Sequence, residues 1–352
     1  MNTGYHPTIK FLITWFILFI MITGCAGRQN STSTPILPSS PTEDLYGLST
    51  DAFTTLRSLE KLQDYPFYVM HFSGDYQYPR IGLSLQGDSD ISCSLFASLG
   101  TAGDMYYGRN FDWEYSPALL LFTDPPDGYA SVSMVDLSFL GIDSDTASTL
   151  ADLPLSERTA LLAAPSMPFD GMNEYGLTIG MAAVPDEFMD DASHVASMPS
   201  IGSIGIIRQV LDHARNVDEA LDIFAQYNID FGGGPPIHYL VADRSGKAVL
   251  IEFYRSEMVL LPNEGPWHLA TNHLRGIAEG DGGCPRYRTI SARLSAVNGQ
   301  LDSQSTMQLL SDVRQSMTQW SAVYNMTTGD VDVVIAQLYD QVYSFHLALL
   351  PP

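Results

Sequence analysis

The chain has 352 residues, with 40 acidic against 17 basic side chains and a formal net charge of −23. This charge argues against a phosphate-binding surface, because nucleic-acid binders need clustered Lys and Arg to displace counterions, and no such cluster occurs here. A hydrophobic content of 45% allows a sizeable core, while three cysteines are too few for a disulfide scaffold.

The beginning of the chain is typical of a targeting segment. Lys10 precedes an apolar run over residues 11–23, which suits a signal peptide better than a bilayer span of about 20 residues. The run ends in the sequence ITGC at residues 22–25, which resembles a bacterial lipobox, where cleavage leaves an acylated cysteine. We therefore expect a signal peptide over residues 1–24, lipidation of Cys25 and a membrane-anchored, extracytoplasmic location. An ordinary secretory signal and an N-terminal anchor helix are the alternatives.

The next segments change from polar to amphipathic. Residues 25–44 are rich in Ser, Thr and Pro, which predicts a flexible tether that follows the lipidated cysteine. Apolar residues at helical spacing predict a short helix over residues 51–63, and residues 67–72 have the composition of a strand.

From Cys93 onward, short strand-like runs dominate, with helical patterns grouped in the middle and near the end. We predict strands over residues 93–98, 105–109, 118–122, 130–135 and 177–184, a long helix over 201–225, a hairpin of 237–242 with 248–253, a helix over 303–317, and strand and helix material over 331–348. Strands in adjacent runs favour an α+β arrangement of antiparallel sheets with helices outside. The glycine-rich motifs of nucleotide-binding folds do not follow any predicted strand.

Charged residues are predicted to lie near Cys93. The turn at residues 101–104 would place the strands of Cys93 and of the sequence GRNFDW (108–113) side by side, with Arg109 and Asp112 near the thiol. A nearby cation stabilises a thiolate, so this cluster suggests a catalytic site. From these residues alone, the alternative is that Arg109 and Asp112 form only a structural ion pair on a turn.

Four segments in order resemble the choloylglycine hydrolase and penicillin V acylase family of N-terminal nucleophile hydrolases, which includes relatives of acid ceramidase, N-acylethanolamine amidase and penicillin acyltransferase. These segments are Cys93-Ser94 with GRNFDW, then GMNEYGL at 171–177, Thr271-Asn272, and Pro285-Arg286-Tyr287. The resemblance implies a four-layer αββα sandwich, in which two antiparallel sheets are flanked by helices.

The resemblance also implies roles for six residues. Cys93 would be the nucleophile once it is an N-terminus, with Arg109 and Asp112 as polar partners. Asn272 and the backbone N–H of Ala183 would stabilise the oxyanion, and Arg286 would complete the charged cluster. Other family members often carry Asn or Tyr at the position of Ala183, so a side-chain contribution is lost here. A free α-amine, with a reference pKa of about 7.7–8.0, can serve as the base for its own thiol.

The terminus must first be generated by cleavage of the Ser92–Cys93 bond. This implies a pro-segment or light chain over residues 45–92, which we expect to stay packed on a catalytic domain over residues 93–352. Many bacterial members begin almost at the cysteine, so the long preceding segment is closer to the ceramidase and acyltransferase branches.

The predicted function is hydrolysis of linear, non-peptide C–N bonds in small N-acyl amides, such as conjugated bile salts, penicillin V or N-acyl amines. An acyltransferase and a non-catalytic binding lipoprotein are the alternatives. A Cys93–Cys284 disulfide would remove the nucleophile, and Cys284 otherwise has no assigned role. No cofactor, metal site or nucleic-acid partner is predicted. Four aromatic residues are expected either to line an acyl pocket or to pack in the core: Phe111, Trp113, Tyr115 and Phe122.

Overall fold

A computed structural model describes residues 47–76, 92–185, 195–232 and 234–351. Within these ranges the α-helices are α1 (Thr50–Arg57), α2 (Ser144–Thr149), α3 (Gly205–His213), α4 (Val217–Phe224), α5 (Pro285–Ala296) and α6 (Ser303–Asp312). The strands in the same ranges are β1 (Glu60–Gln63), β2 (Phe67–His71), β3 (Ser92–Ser98), β4 (Tyr106–Asp112), β5 (Ala118–Thr123), β6 (Ser131–Asp136), β7 (Pro168–Asn173), β8 (Thr178–Ala183), β9 (Ser200–Gly202), β10 (Asn228–Asp230), β11 (Ile237–Ala242), β12 (Ala248–Tyr254), β13 (Glu257–Pro262), β14 (Trp267–Ala270), β15 (Thr318–Asn325), β16 (Asp330–Ile335) and β17 (Tyr343–His346). Short 3₁₀ segments lie within residues 137–166.

Two large sheets carry the site. One has nine strands in the order β1-β2-β5-β6-β7-β8-β11-β12-β13, and the other has six in the order β14-β3-β4-β15-β16-β17. Among the described strands of these sheets every pairing is antiparallel except that of β2 with β5. β9 and β10 form a separate parallel pair.

The two sheets face each other, and a helix pair covers each outer face. Helices α3 and α4 pack on β7, β8 and β11 of the nine-stranded sheet, whereas α5 and α6 pack on β14, β3, β4 and β15 of the six-stranded sheet. Between the sheets a core that includes Leu95, Tyr107 and Trp320 is buried. A Cβ atom at Gly180 would lie 2.6 Å from Leu95 Cδ2, so glycine permits the close approach of the sheets here. The predicted four-layer αββα class is confirmed.

Most of the predicted strands are present with small changes at their ends. The predicted hairpins are also present: β3 pairs with β4, and β11 pairs with β12. In these strands apolar residues alternate with polar ones or form an unbroken run, and turn-forming residues lie at both ends. Strands are most readily predicted from this pattern.

The predicted helix over residues 51–63 is wrong in its second half. Helix α1 ends at Arg57, the N–H of the capping residue Ser58 donates to the carbonyls of Thr54 and Thr55, and residues 60–63 form β1 instead. The apolar residues at helical spacing therefore do not belong to one helix, because pairing with β2 satisfies the backbone of 60–63 at the edge of the sheet.

The helix predicted over residues 201–225 is also wrong as a single element. The structure has β9, α3 and α4 in this region. A new helix begins at α4 because the Asn216 side chain caps it, accepting a hydrogen bond from the Glu219 N–H at 3.0 Å. The helix predicted over 303–317 ends at Asp312, and 331–348 contains two strands and no helix.

The described part of the predicted light chain contributes β1 and β2 to the nine-stranded sheet. Phe67, Tyr68 and Met70 on β2 are fully buried, and the Tyr68 hydroxyl donates to the Ala147 carbonyl at 2.6 Å. Cys25 and the predicted signal peptide and tether lie outside the described residues. Among the helices that are described, none combines the length and apolar character that crossing a membrane requires.

Candidate active site

The β3–β4 hairpin brings Cys93 to the facing residues of GRNFDW. Ser92 lies opposite Asp112 and Cys93 opposite Phe111, while Arg109 lies opposite Leu95. The Cys93 side chain is 1% exposed and belongs to the core between the sheets. The sequence-predicted proximity of Cys93 to both charged residues is therefore present in the structure.

Arg109 is held by a carboxylate that the sequence analysis missed. Its side chain is fully buried and its Nε donates to Asp170 Oδ2, on β7 of the facing sheet. Asp170 also accepts from the hydroxyl of Tyr324 and, at 3.4 Å, from Trp320 Nε1. Arg109 thus pairs with Asp170 rather than with Asp112. The available signal was the position of Asp170 directly before GMNEYGL.

Asp112 points to the other face of the six-stranded sheet, towards α5. Its Oδ1 accepts from the Thr318 hydroxyl at 2.5 Å, and its Oδ2 lies 3.9 Å from Arg286 Nη1. Burial raises the pKa of the Asp112 carboxyl to about 6, an effect that the hydrogen bond from Thr318 and the charge of Arg286 limit.

Asn272 and Arg286 together fix the backbone of Cys93. The Cys93 N–H donates to Asn272 Oδ1 at 2.7 Å, and the Cys93 carbonyl accepts from Arg286 Nη1. Arg286, in the first turn of α5, also donates to Asn272 Oδ1 at 2.9 Å and to Ser94 Oγ at 3.0 Å. Asn272 follows the end of β14, which is the neighbour of β3, so the sheet order delivers it to Cys93.

Ala183 lies at the end of β8 and is also tied to Asn272. Its carbonyl accepts from Asn272 Nδ2 at 2.8 Å. The N–H of Val184 donates to the Pro236 carbonyl, on the β11 side of β8. Because successive N–H groups of a strand point to opposite edges, the Ala183 N–H points to the other edge of β8, towards β7. The β7–β8 pairing ends at Asp170 opposite Gly180, before this amide is reached. One hydrogen of Asn272 Nδ2 and the Ala183 N–H are thereby suited to an oxyanion near Cys93.

A small apolar cavity lies beside the thiol. It has a volume of about 20 Å³, room for about one water. Its lining comprises Cys93, Arg109, Phe111, Trp113, Phe139, Phe169, Met181, Ala182, Ala183 and Ile237. Among the described residues that line the cavity, Arg109 is the one with a charged side chain. Of the four aromatic residues considered from sequence, Phe111 and Trp113 line the cavity. Tyr115 is 41% exposed and packs on Tyr65, and Phe122 stacks on His71, so these two serve packing elsewhere.

Opposing effects act on the thiol itself. Burial raises the pKa of Cys93, the Arg109 guanidinium lowers it, and the Asp112 carboxylate raises it again, with a net increase above the ordinary value. Burial alone would lower the pKa of Arg109, but Cys93 and Asp170 hold it above its ordinary value, so the guanidinium stays charged. Cys93 is therefore a buried thiol beside a charged guanidinium.

Cys284 is the residue before α5 and is not bonded to Cys93. Both cysteines are free thiols, which contradicts the alternative of a disulfide between them. Thr271 Oγ1 donates to Cys284 Sγ at 3.4 Å, so Cys284 lies next to the segment that carries Asn272. Within the described ranges, no three His, Cys, Asp or Glu side chains are grouped in a way that would hold a metal ion.

The comparison with known proteins identifies a family and a fold. A family model described as acyl-coenzyme A:6-aminopenicillanic acid acyl-transferase matches residues 159–344, slightly more than half of the chain. The matched span contains Asp170, Ala183, Asn272 and Arg286, and it begins after the Cys93 hairpin.

Solved amide hydrolases have the same architecture. A mutant of conjugated bile acid hydrolase from Clostridium perfringens is similar over 72% of this chain and 92% of its own, with a TM-score of 0.53 and 16% identity. A second variant of that enzyme gives a TM-score of 0.52. Penicillin V acylase from Agrobacterium tumefaciens matches over 72% of this chain and 86% of its own, with a TM-score of 0.50 and 15% identity. At these identities the similarity establishes a shared fold, the four-layer sandwich of two sheets flanked by helices.

Proposed function

The chain belongs to the acyl-coenzyme A:6-aminopenicillanic acid acyl-transferase family, and from this premise we propose that it is an amidase of small N-acyl compounds with Cys93 as nucleophile. The observation that carries the proposal is the contact of the Cys93 backbone nitrogen with Asn272 Oδ1 at 2.7 Å. This contact holds the nitrogen, the thiol and the Asn272 amide in one cluster, beside an apolar cavity that Arg109 also lines.

We propose that the enzyme first cleaves its own Ser92–Cys93 bond. The Cys93 thiol attacks the Ser92 carbonyl carbon, the C–N bond breaks, and the acyl group passes to sulfur while the nitrogen gains a proton. Water then hydrolyses the thioester to release the Ser92 carboxylate and the free thiol. The Cys93 N–H of this peptide donates to Asn272, and the Cys93 carbonyl of the next peptide accepts from Arg286, so the backbone on both sides of the thiol is held, which favours intramolecular attack.

The same groups then act on substrate. The new α-amine takes the thiol proton, the sulfur attacks the amide carbonyl, and the negative oxygen receives hydrogen bonds from Asn272 Nδ2 and the Ala183 N–H. The ammonium returns its proton to the leaving amine. Water, activated by the same amine, hydrolyses the thioester. Arg109 supports the thiolate, and Asp170 keeps Arg109 in place.

The cavity favours an uncharged, apolar or aromatic acyl group. Its walls are aromatic and aliphatic apart from the thiol and the Arg109 guanidinium, which is already paired with Asp170. Its volume of about 20 Å³ is far below the roughly 300–1,000 Å³ of small-molecule sites, so substrate binding requires the aromatic walls to separate. Conjugated bile salts, penicillin V and N-acyl amines all present acyl groups of this chemical type.

The test is a substrate panel with a matched inactive variant. Purified protein is assayed for release of the free amine from a conjugated bile salt, penicillin V, an N-acyl-homoserine lactone and an N-acyl-ethanolamine. Cys93→Ala is expected to abolish release and to leave the chain uncut on an SDS gel and by intact mass. Cys284→Ala, which keeps the proposed nucleophile, is the control. Unchanged hydrolysis by Cys93→Ala rejects the assignment.

An acyltransferase is the second candidate, and the description of the matching family favours it. In that reaction an amine replaces water in the attack on the thioester. Addition of an acceptor amine such as glycine to the assay then gives a new N-acyl product at the expense of free acid. Product ratios that do not change with amine concentration reject this candidate.

We also propose that Cys25 anchors the protein to an extracytoplasmic membrane surface. The support is the sequence ITGC at residues 22–25 after a short apolar run. Metabolic labelling with a radioactive fatty acid should label the wild type and not Cys25→Ser. Labelling of Cys25→Ser to the same extent contradicts the proposal.

A further inference from the structure

A second buried polar pair lies behind the oxyanion donors. His238 on β11 and Glu252 on β12 are fully buried neighbours, with His238 Nδ1 at 3.2 Å from Glu252 Oε1. His238 also lies opposite Ala182 on β8, the residue before Ala183. The pair therefore borders the strand end that carries one proposed oxyanion donor.

The same pair holds the segment that carries the other donor. His238 Nε2 is 2.7 Å from the Thr271 carbonyl oxygen. Glu252 Oε1 accepts from the Arg275 N–H at 2.7 Å, and its Oε2 accepts from the Gly276 N–H at 2.9 Å. Three backbone groups on both sides of Asn272 are thus fixed by two side chains of the opposite sheet.

The acceptors around the imidazole define its hydrogen bonds. Because Nε2 faces the Thr271 carbonyl oxygen, it carries a proton and donates, and Nδ1 faces Glu252 Oε1. The pKa of Glu252 reflects the same contacts: burial raises it, and the hydrogen bonds from His238 and the two backbone amides outweigh burial and lower it. Glu252 is therefore an acceptor for the whole segment.

We propose that His238 and Glu252 are positioning residues for the proposed amidase reaction, holding residues 271–276 so that the Asn272 amide faces the carbonyl that Cys93 attacks. The proposal rests on the proposed function, although its structural half is independent of turnover. Asn272 makes its own contacts to Cys93, Ala183 and Arg286, but these do not fix the backbone from which its side chain extends. Displacement by about 1 Å at a reacting group can cost about 100-fold in rate, so such support has a kinetic consequence.

The experiment compares His238→Ala, His238→Gln and Glu252→Gln with Tyr239→Phe. Tyr239 is the next residue on β11 and is fully buried, and its hydroxyl donates to the Ser203 carbonyl at 2.7 Å, away from residues 271–276. Tyr239→Phe thus removes a buried hydrogen bond of the same strand without touching the segment. The measurements are kcat and KM on the best substrate of the panel, and hydrogen exchange of the Arg275 and Gly276 amides.

His238→Ala is expected to lower kcat by about 100-fold with KM within about threefold of wild type, and to speed exchange of both amides. His238→Gln, whose amide can donate to Thr271, recovers part of kcat, and Glu252→Gln behaves like His238→Ala. Tyr239→Phe leaves kcat and the exchange of both amides at the wild-type values.

Three outcomes overturn the inference: unchanged exchange in His238→Ala, a loss of kcat in Tyr239→Phe equal to that in His238→Ala, or a kcat of Glu252→Gln within about threefold of wild type. If His238→Ala does not fold, the isosteric Glu252→Gln is judged by the same criteria. A wild-type protein that is inactive on every substrate rejects the proposed function instead, and the exchange data still decide whether the pair holds the segment.

Discussion

Replacement of Asp170 by alanine removes the carboxylate that pairs with Arg109 in the core. Both side chains are fully buried, and Asp170 also accepts hydrogen bonds from Tyr324 and Trp320. The variant leaves a guanidinium without its counter-ion between two sheets, where water cannot solvate it. Arg109 Nη2 already has no hydrogen-bond partner among the described residues, so the remaining contacts cannot compensate.

The expected loss follows from this burial. Removal of one partner of a buried ion pair costs about 3–5 kcal/mol in unfolding free energy, because it leaves an uncompensated charge. An exposed pair gives a contrasting control: Asp218 contacts Lys247 with side-chain exposures of 72% and 45%. Asp218→Ala is expected to cost under about 1 kcal/mol.

The assay is urea unfolding followed by tryptophan fluorescence in a Cys93→Ala background, which keeps the chain uncut. A double variant with Arg109→Met and Asp170→Leu separates charge from packing, because apolar replacement of a buried ion pair is often neutral or stabilising. We expect the double variant to recover most of the lost stability. With Cys93 restored, it should remain inactive, since the cation beside the thiol is gone.

A loss below about 1 kcal/mol for Asp170→Ala, equal to that of the exposed control, would refute the reasoning. A double variant no more stable than Asp170→Ala would also refute it, since the cost would then come from packing or lost hydrogen bonds rather than from an unpaired charge.

Three further predictions concern the other parts of the site. Asn272→Ala is expected to lower kcat about 10²–10³-fold with a smaller change in KM, and steady-state kinetics with unchanged kcat would contradict its role as an oxyanion donor. The pKa of Asp112 is raised from 3.8 to about 6, so the folded state binds this proton more tightly than the unfolded state does. The stabilisation that protonated Asp112 gives the folded state is therefore complete below pH 3.8 and is lost as the pH rises through about 6. Asp112→Asn should therefore gain stability relative to wild type over this window, and parallel urea-midpoint curves would contradict this. After cleavage at Ser92–Cys93, the light chain that contains residues 47–76 should co-elute with the catalytic domain in size-exclusion chromatography, because β2 is buried and hydrogen-bonded in the sheet. Separation of the two pieces in native buffer would exclude a retained light chain.

The local sequence was sufficient where one hairpin or one short motif carries the information. The turn between β3 and β4 brings Cys93, Arg109 and Asp112 together, and strand pairing preserves that relation in the structure. The resemblance to a known family supplied Ala183, Asn272 and Arg286; in the structure Asn272 and Arg286 are hydrogen-bonded to the Cys93 backbone, and Ala183 is hydrogen-bonded to Asn272. Periodicity failed at residues 51–63 and 201–225, because end caps and sheet pairing divide patterns that look continuous.

Only the tertiary structure decided which charges are partners. Arg109 and Asp112 are close in sequence, yet they point to opposite faces of one sheet, so Arg109 pairs with Asp170 and Asp112 faces Arg286. The contacts of His238 and Glu252 with residues 271–276 likewise join two strands of one sheet to the segment that follows β14 of the other sheet. The sequence by itself determined the nucleophile candidate and an α+β class of antiparallel sheets with helices outside, because both depend on local patterns, and the family resemblance implied the four layers. The supporting carboxylates and the backbone contacts depend on how two sheets pack face to face, which no local pattern encodes.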